Sequence, residues 1–365
     1  MKGDPEALEA RLLGLADRLL AENAGVPGVV LEVEAPRLGF ALSRARGVTR
    51  FGAGGVALTP AHPLRLASNT KTYVAAAVLR LVEEGRLALD EAVAGRLPAA
   101  QSALLRAGGY DPGAITLRHL LTHTSGLYDF GDSPDFNTAV LAGRHWTRLE
   151  QLAGAMEWGR PYGVPGEVYR YSDTGYVLLG EILERTTGDP SYGGSLRRLL
   201  DYERLGLAAT WLESLEPWPA GVPERAQQYL GERPNEAFDV TTDLFGGGGL
   251  IAQLGDVRRF YAALFRGEVF RRRETLALML TTVAAERGGP AAYGMVQQPG
   301  EYRMGIFVRR LGGLDCYSHG GYFGTQAAYF PGLDASVALG VNLADSDLDG
   351  DLLAAVAAVL RDSHA

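Results

Sequence analysis

The sequence predicts an α+β fold, in which an antiparallel sheet is flanked by helices and a mostly helical subdomain is inserted. Two observations lead to this prediction. Short, strand-like apolar runs occur near both ends of the chain, and helical periodicity dominates the residues between them. Because terminal segments with the same pattern can pair in one sheet, we expect one subdomain from residues 1–86 and 281–365 and a second from residues 87–280, with the functional site between them.

The beginning of the chain predicts an amphipathic helix. Apolar residues recur there with helical spacing at Leu8, Leu12, Leu15 and Leu19. Acidic side chains stand where a secretory signal would have a basic segment, so we interpret these residues as part of the fold. No apolar run reaches the roughly 18 residues that span a bilayer. We therefore expect a cytoplasmic protein without a membrane span.

The next elements are three consecutive antiparallel strands and a buried helix. The helix is expected from Asn69 to Glu84, because its residues are apolar nearly all round and Gly85 follows as a stop signal. Helical patterns then fill the middle of the chain, and strands with a closing helix end it. The early strands are residues 26–33, 40–43 and 49–51; the middle helices include 115–122, 177–186 and 256–265; the late strands are 305–308, 314–318, 327–330 and 337–341, and the closing helix is 348–361.

Composition and charge exclude several classes of protein. Hydrophobic residues make up 47% of the chain and charged residues 21%, which is typical of a globular protein with a large core. A net charge of −8, with no basic run, argues against a nucleic-acid partner. Cys316 is the only cysteine, so no intrachain disulfide can form.

Lys71 gives the first indication of chemistry. It is one of two lysines in a chain with 33 arginines, and it stands three residues after Ser68. An ammonium group can lose its proton when partly buried, whereas a guanidinium cannot, so a base beside a hydroxyl has to be a lysine. Ser68 lies at the start of the predicted buried helix, where unpaired amides favour developing negative charge. The pair predicts a nucleophilic serine with a lysine partner.

Further motifs accompany this pair, and together they resemble the serine β-lactamase-related family over about residues 26–361. That family includes class C β-lactamases, D-alanyl-D-alanine carboxypeptidases, D-aminopeptidases and esterases. The resemblance implies a β-lactamase/transpeptidase-like fold and a serine hydrolase with no cofactor and no metal. The motifs are Ser68-Asn69-Thr70-Lys71, residues 115–127 (ITLRHLLTHTSGL), residues 165–176 (PGEVYRYSDTGY), residues 247–250 and His319-Gly320-Gly321.

The resemblance also implies a role for each matched residue. Ser68 would be the acylated nucleophile and Lys71 its proton partner, while Tyr171 would act as a second general base or acid and protonate the leaving group. The backbone N–H groups of Ser68 and Tyr322 would form an oxyanion hole. The implied catalytic residues are Ser68, Lys71, Tyr171 and His319, and the implied substrate-binding residues are Asp173, Gly320, Gly321 and Tyr322.

Two positions depart from the family pattern. Asp173 stands where the family usually has Asn, and an ionised Asp cannot donate a hydrogen bond. It would attract Lys71 and favour its protonated form, so we expect Tyr171 to carry more of the base role and a substrate with a free amine to be preferred. His319 replaces the usual Lys and is a poorer anchor for a carboxylate. Strong β-lactamase activity is therefore not expected.

Several other patterns receive a structural interpretation. His119 and His123 have the spacing of a zinc helix, but Leu120 occupies the place of the Glu that a metalloprotease needs. The glycine run 246–249 lacks the Lys-Ser/Thr of a phosphate loop, so tight packing or a sharp turn is expected there. Cys316 lies on a predicted strand and is expected to be a core thiol.

The preferred function is a serine hydrolase acting on esters, D-amino-acid amides or small D-peptides. A β-lactamase or D-alanyl-D-alanine carboxypeptidase is one alternative. Another is a relative of the fold that is acylated without turnover, or that binds ligands without catalysis. The expected partner is a small molecule or short peptide, and the sequence leaves the oligomeric state open.

Overall fold

The computed structural model describes residues 4–282, 287–288 and 301–364. The helices are α1 Pro5–Glu22, α2 Thr70–Glu83, α3 Ala99–Ala107, α4 Leu117–Leu121, α5 Pro134–Leu141, α6 Arg148–Trp158, α7 Asp173–Thr187, α8 Tyr192–Leu199, α9 Tyr202–Leu205, α10 Leu254–Phe265, α11 Arg273–Met279 and α12 Leu348–His364. The strands are β1 Gly28–Ala35, β2 Phe40–Gly47, β3 Leu64–Arg65, β4 Val168–Tyr169, β5 Thr210–Leu212, β6 Tyr229–Leu230, β7 Arg233–Pro234, β8 Leu250–Ala252, β9 Arg287–Gly288, β10 Phe307–Leu311, β11 Leu314–Gly321, β12 Thr325–Phe330 and β13 Ala335–Val341.

Both ends of the chain contribute to one antiparallel sheet of six strands, in the order β10-β11-β12-β13-β1-β2. The junction between the two ends is the pairing of β1 with β13, in which Val29 lies opposite Val341 and Val33 opposite Val337. These β-branched side chains favour extended backbone and pack well on a pleated surface. The predicted α+β architecture and its shared terminal sheet are confirmed.

One predicted strand is wrong. Residues 49–51 form bends rather than a strand, and the pairing nearby is an isolated bridge between Val48 and Ala57. Gly52 and Gly54 both have positive φ values, of 73° and 85°, so the chain turns back before a third strand can extend.

Helices cover both faces of the sheet. Alternate residues of β1 divide between two cores, since Val29 and Leu31 pack with α1 and α12 whereas Val30 joins the core that contains α2 and α10. The predicted amphipathic helix is confirmed as α1, which buries Leu8 and Leu12. Helix α10 lies within the predicted helical subdomain yet packs on β1, β12 and β13. The subdomain boundaries stay a prediction.

Helix α2 runs through the middle of the molecule and confirms the predicted buried helix. Its residues from Thr70 to Leu81 are all buried, and Tyr73 stacks on Phe260 of α10 with ring centroids 3.7 Å apart. Gly85 ends the helix region with φ of 71°. Among the described residues, no helix is long and apolar enough to cross a membrane.

Candidate active site

Ser68 lies in a single 3₁₀ turn, Ala67–Asn69, immediately before α2. The turn is fixed on two sides. Leu66 N donates to Leu250 O of β8 at 2.9 Å, and Asn69 Nδ2 donates to Thr325 O of β12 at 3.2 Å. Ala67 has φ of 44°, a left-handed conformation that is unusual for a residue with a side chain. Ser68 therefore occupies a constrained position at a helix start, as the sequence predicts.

Lys71 is the second residue of α2 and is completely buried. Its Nζ donates to Ser68 Oγ at 2.8 Å and to the Gly247 carbonyl oxygen at 2.7 Å. The Asp173 Oδ1 atom lies 2.5 Å from the same nitrogen. Two N–H groups of the Lys71 ammonium therefore have hydrogen-bond acceptors, and Asp173 balances its charge as an ion pair. The structure brings Lys71, Ser68 and Asp173 together.

Tyr171 follows β4 and reaches the same serine. Its hydroxyl shares a hydrogen bond with Ser68, and Lys71 Nζ lies 5.0 Å from the centroid of its ring. Burial, together with the nearby charge of Asp173, raises the pKa of the Tyr171 hydroxyl well above its usual value. The side chain is thus a neutral phenol at physiological pH, able both to accept and to donate a hydrogen bond.

The end of β11 lies against the Ser68 turn. A Cβ placed on Gly321 would be only 2.1 Å from the Leu66 carbonyl oxygen, so this close approach requires glycine. Thr325 Oγ1 donates to the same carbonyl at 3.2 Å. Tyr322, the next residue of the chain, has a side chain that is 44% exposed. Gly321 therefore lies against the turn that carries Ser68, and Gly320 and Tyr322 are its neighbours in the chain.

His319 lies deeper on β11 and is only 2% exposed. Nδ1 is 2.8 Å from the Gly320 carbonyl oxygen, to which it must donate, and Nε2 is 3.1 Å from the Tyr302 hydroxyl, from which it therefore accepts. Burial and the charge of Lys71 lower the pKa of His319 to about 3. The imidazole is neutral, and both of its nitrogens are already bonded within the protein.

The glycine run 246–249 shapes the site through its backbone. Gly246 has φ of 123°, and a Cβ there would lie 2.3 Å from the Tyr176 carbonyl oxygen. A Cβ on Gly248 would lie 2.5 Å from the Asp243 carbonyl oxygen. The expected tight packing is confirmed, and it places the Gly247 carbonyl on Lys71.

Two of the other structural interpretations are also confirmed. His119 completes a capping box at the start of α4, where its Nδ1 accepts from Thr116 N at 3.2 Å. Cys316 lies on β11 and is fully buried in the core that contains the terminal helices, and burial raises the pKa of its thiol to about 11. In the part of the chain that the structure describes, no group of His, Cys, Asp and Glu side chains is arranged to hold a metal ion.

The sequence analysis assigned no catalytic or binding role to three residues near the site, which are Tyr302, His123 and Asp243. Tyr302 binds His319, and His123 packs its ring on Tyr171 with centroids 4.1 Å apart. Asp243 is partly buried near Lys71 and Asp173, and desolvation there raises the pKa of its carboxyl to about 6. The motif around His123 was visible in the sequence, but nothing marked Tyr302 as a neighbour of His319 or Asp243 as a neighbour of Lys71.

Comparison with known proteins gives consistent matches. The family described as Beta-lactamase matches residues 16–361. Esterase EstB of Burkholderia gladioli is 33% identical over 252 residues, which cover 65% of this chain and 60% of the esterase. The D-amino acid amidase from Ochrobactrum anthropi SV3, solved with L-phenylalanine, is 23% identical with a TM-score of 0.81, over 98% of this chain and 100% of the amidase. A D-stereospecific amidohydrolase from Streptomyces sp. is 26% identical with a TM-score of 0.71, over 93% of this chain and 96% of that one.

Proposed function

Because this chain belongs to the Beta-lactamase family, we propose that it is a serine hydrolase that forms an acyl-enzyme on Ser68 and acts on esters, D-amino-acid amides or small D-peptides. One observation carries the proposal: Ser68 Oγ is held at 2.8 Å by Lys71 Nζ and also shares a hydrogen bond with Tyr171. A hydroxyl flanked by a cation and a proton carrier is suited to attack an acyl carbon. The similar esterase and amidases support these substrate classes.

In the acylation step, Ser68 Oγ attacks the carbonyl carbon of the substrate and gives its proton to the Tyr171 oxygen. At the same time Tyr171 passes its own proton to the leaving oxygen or nitrogen, so neither a free phenolate nor a protonated phenol forms. This route suits a phenol whose pKa is raised by burial. The bond from the acyl carbon to the leaving group breaks, and the acyl group stays on Ser68.

Lys71 and the backbone supply charge stabilisation in this scheme. The two hydrogen-bond acceptors and the carboxylate around Lys71 suit an ammonium group, whose positive charge stabilises the negative charge that develops in the reaction. The N–H groups of Ser68 and Tyr322 would bind the oxyanion. Deacylation repeats the sequence with water as nucleophile: Tyr171 takes a proton from water and returns one to Ser68, and the net reaction consumes one water per bond cleaved.

Asp173 supports a preference for substrates that carry a free amine. The pair of Lys71 and Asp173 has no net charge. If an Asn stood at position 173, the positive charge of Lys71 would be uncompensated. A substrate ammonium is therefore repelled less by this site than by one with Asn. The Asp173 side chain is 22% exposed, so it is not completely enclosed by the protein. We propose D-amino-acid amides as the preferred members of the amide class.

Trapping the acyl-enzyme tests the proposal. The protein is mixed with p-nitrophenyl butyrate, quenched in acid and analysed by intact and peptide mass spectrometry. We expect a single butyryl group on the peptide that contains Ser68, and none in Ser68→Ala. Turnover that persists in Ser68→Ala, or label on another residue, would reject the proposed nucleophile. Product release limited to one equivalent would instead indicate a protein that is acylated without turnover.

A further inference from the structure

We propose that His123 is the positioning residue for Tyr171, holding the phenol at Ser68 without touching the substrate. This inference rests on the proposed function, in which Tyr171 moves the proton. His123 lies just after α4, far in sequence from Tyr171, and it is 1% exposed. A residue that is completely enclosed cannot contact the substrate, so any effect it has on the reaction passes through its neighbours.

His123 forms a backbone clamp around Tyr171, made of two hydrogen bonds. The His123 carbonyl oxygen accepts the N–H of Arg170 at 2.8 Å, and His123 Nδ1 accepts the N–H of Ser172 at 3.1 Å. One residue thus holds the chain on both sides of the proposed proton carrier. Tyr171 lies outside regular secondary structure, between β4 and α7. Because no helix or strand holds Tyr171, these two hydrogen bonds restrain its backbone where regular secondary structure does not.

The imidazole ring of His123 also packs against the phenol ring of Tyr171. The imidazole of His123 lies 4.1 Å from the Tyr171 ring centroid, at an interplanar angle of 35°. The His123 ring also packs against two other aromatic rings, with centroid distances of 4.6 Å to Tyr302 and 5.1 Å to Tyr176. Since Tyr302 also meets Tyr171, at 6.0 Å, the phenol is enclosed by rings that are themselves packed together. Such packing restricts the rotation of Tyr171 and so directs its hydroxyl towards Ser68.

Two features of His123 are unfavourable for the stability of the fold. Its backbone has φ of 55°, which costs free energy in a residue with a large side chain. Because Nδ1 accepts a hydrogen bond, the proton of the neutral ring is on Nε2, and Nε2 is buried with no hydrogen-bond partner among the described residues. Burial and the charge of Lys71 lower the pKa of His123 well below its usual value, which keeps the ring neutral. Features that cost stability at one residue indicate a role beyond stability.

Two variants separate the parts of the clamp. His123→Asn keeps an acceptor for Ser172 N–H and tolerates the left-handed backbone, but it removes the ring. His123→Phe keeps a ring against Tyr171 but removes the acceptor. The matched control is His119→Asn, because His119 lies four residues earlier and also accepts a backbone N–H through Nδ1, from Thr116 in the α4 cap.

The experiment measures kcat and KM for p-nitrophenyl butyrate and ethyl butyrate, in the wild-type and Tyr171→Phe backgrounds. We expect both His123 variants to lower kcat at least about tenfold, because misplaced catalytic groups lose rate steeply. The loss should be larger for ethyl butyrate, whose ethoxide leaving group needs a proton, than for p-nitrophenolate. In the Tyr171→Phe background the same substitutions should cause no further loss, and His119→Asn should behave as its parent.

Several outcomes overturn the inference. Equal losses for both esters, or equal losses with and without Tyr171, would show that His123 acts through general stability. Loss of cooperative thermal unfolding in both variants would assign His123 to stability as well. Failure of the proposed function has a different signature: Ser68→Ala would retain wild-type turnover, or the wild type would show none. In that case His123 would have no catalytic group to position.

Discussion

Lys71 Nζ lies 2.5 Å from Asp173 Oδ1, inside a site where the lysine is completely buried. Unpaired charges are costly in such surroundings, whereas this pair is locally neutral. The sequence predicted the attraction, since Asp173 stands where the resembling family usually has Asn.

Asp173→Asn should change substrate preference. Removing the carboxylate leaves the positive charge of Lys71 uncompensated, which repels a substrate ammonium. We expect the ratio of kcat/KM for D-phenylalanine p-nitroanilide to that for p-nitrophenyl butyrate to fall about tenfold, equivalent to roughly 1.4 kcal/mol. Asp90→Asn is the control, because Asp90 pairs with Arg118 on the surface. An unchanged ratio in Asp173→Asn would exclude a role for the carboxylate in selecting free amines.

Tyr171→Phe should abolish most of the proton transfer. The variant keeps the ring that packs on His123 but loses the hydroxyl that meets Ser68. We expect kcat for ethyl butyrate to fall by about 10²- to 10⁴-fold with little change in KM. Tyr162→Phe serves as the control, since its hydroxyl binds Asp132 at 2.7 Å instead. Similar losses in both variants would remove Tyr171 from the mechanism.

Gly321→Ala should displace β11 from the nucleophile. The added Cβ would lie 2.1 Å from the Leu66 carbonyl oxygen, a backbone atom that cannot move alone. In Gly320→Ala, the new Cβ meets the end of the Gln326 side chain at 2.6 Å, which can rotate away. We expect kcat to fall at least about tenfold in Gly321→Ala and much less in Gly320→Ala. Equal activity of the two variants would contradict the proposed closeness of β11 to the reacting group.

His319 should make stability fall in mild acid. The pKa of His319 is about 3 in the folded protein, against an ordinary value of 6.5. At a pH between these two values, His319 is therefore protonated in the unfolded chain and neutral in the folded protein. The free energy of unfolding therefore decreases as pH falls below about 6.5, by at most about 1.4 kcal/mol per pH unit from this group. Urea unfolding of the wild type and His319→Gln at pH about 7.5 and about 5 measures this contribution.

The comparison with His319→Gln is needed because other groups act in the same pH range. Asp243 and Asp349 both have a pKa raised to about 6 by burial, so the folded protein binds their protons more readily than the unfolded chain. Their contributions rise as pH falls and oppose that of His319. The wild type should lose more stability on acidification than the variant. An equal loss would mean that His319 titrates normally in the folded protein.

The sequence predicted most of the fold because its signals were local. Helix α2 was visible as a long apolar run ended by Gly85, and the pairing partners β1 and β13 were visible as two β-branched runs. The false strand at residues 49–51 had the right composition but no partner to pair with, and the glycines that turn the chain follow it. Strand formation depends on a partner that a local pattern cannot reveal.

The candidate site was predictable only where a motif marked it. Ser68, Lys71 and Tyr171 stand in recognisable motifs, and the structure places them together. The Gly247 carbonyl that binds Lys71 could not be foreseen, because every residue has a carbonyl and only the turn at Gly246 directs this one inward. Asp243 lacked a signal for a similar reason, since its pKa reflects burial produced by distant parts of the chain.

The most direct test of the account is the time course of p-nitrophenyl butyrate hydrolysis by the wild type and by Ser68→Ala. We predict sustained release of p-nitrophenol far beyond one equivalent by the wild type, and loss of that turnover in Ser68→Ala. The substitution removes only a half-buried hydroxyl, so the variant should unfold at nearly the same temperature as the wild type. Equal hydrolysis by both proteins, at equal thermal stability, would contradict the claim that Ser68 is the nucleophile.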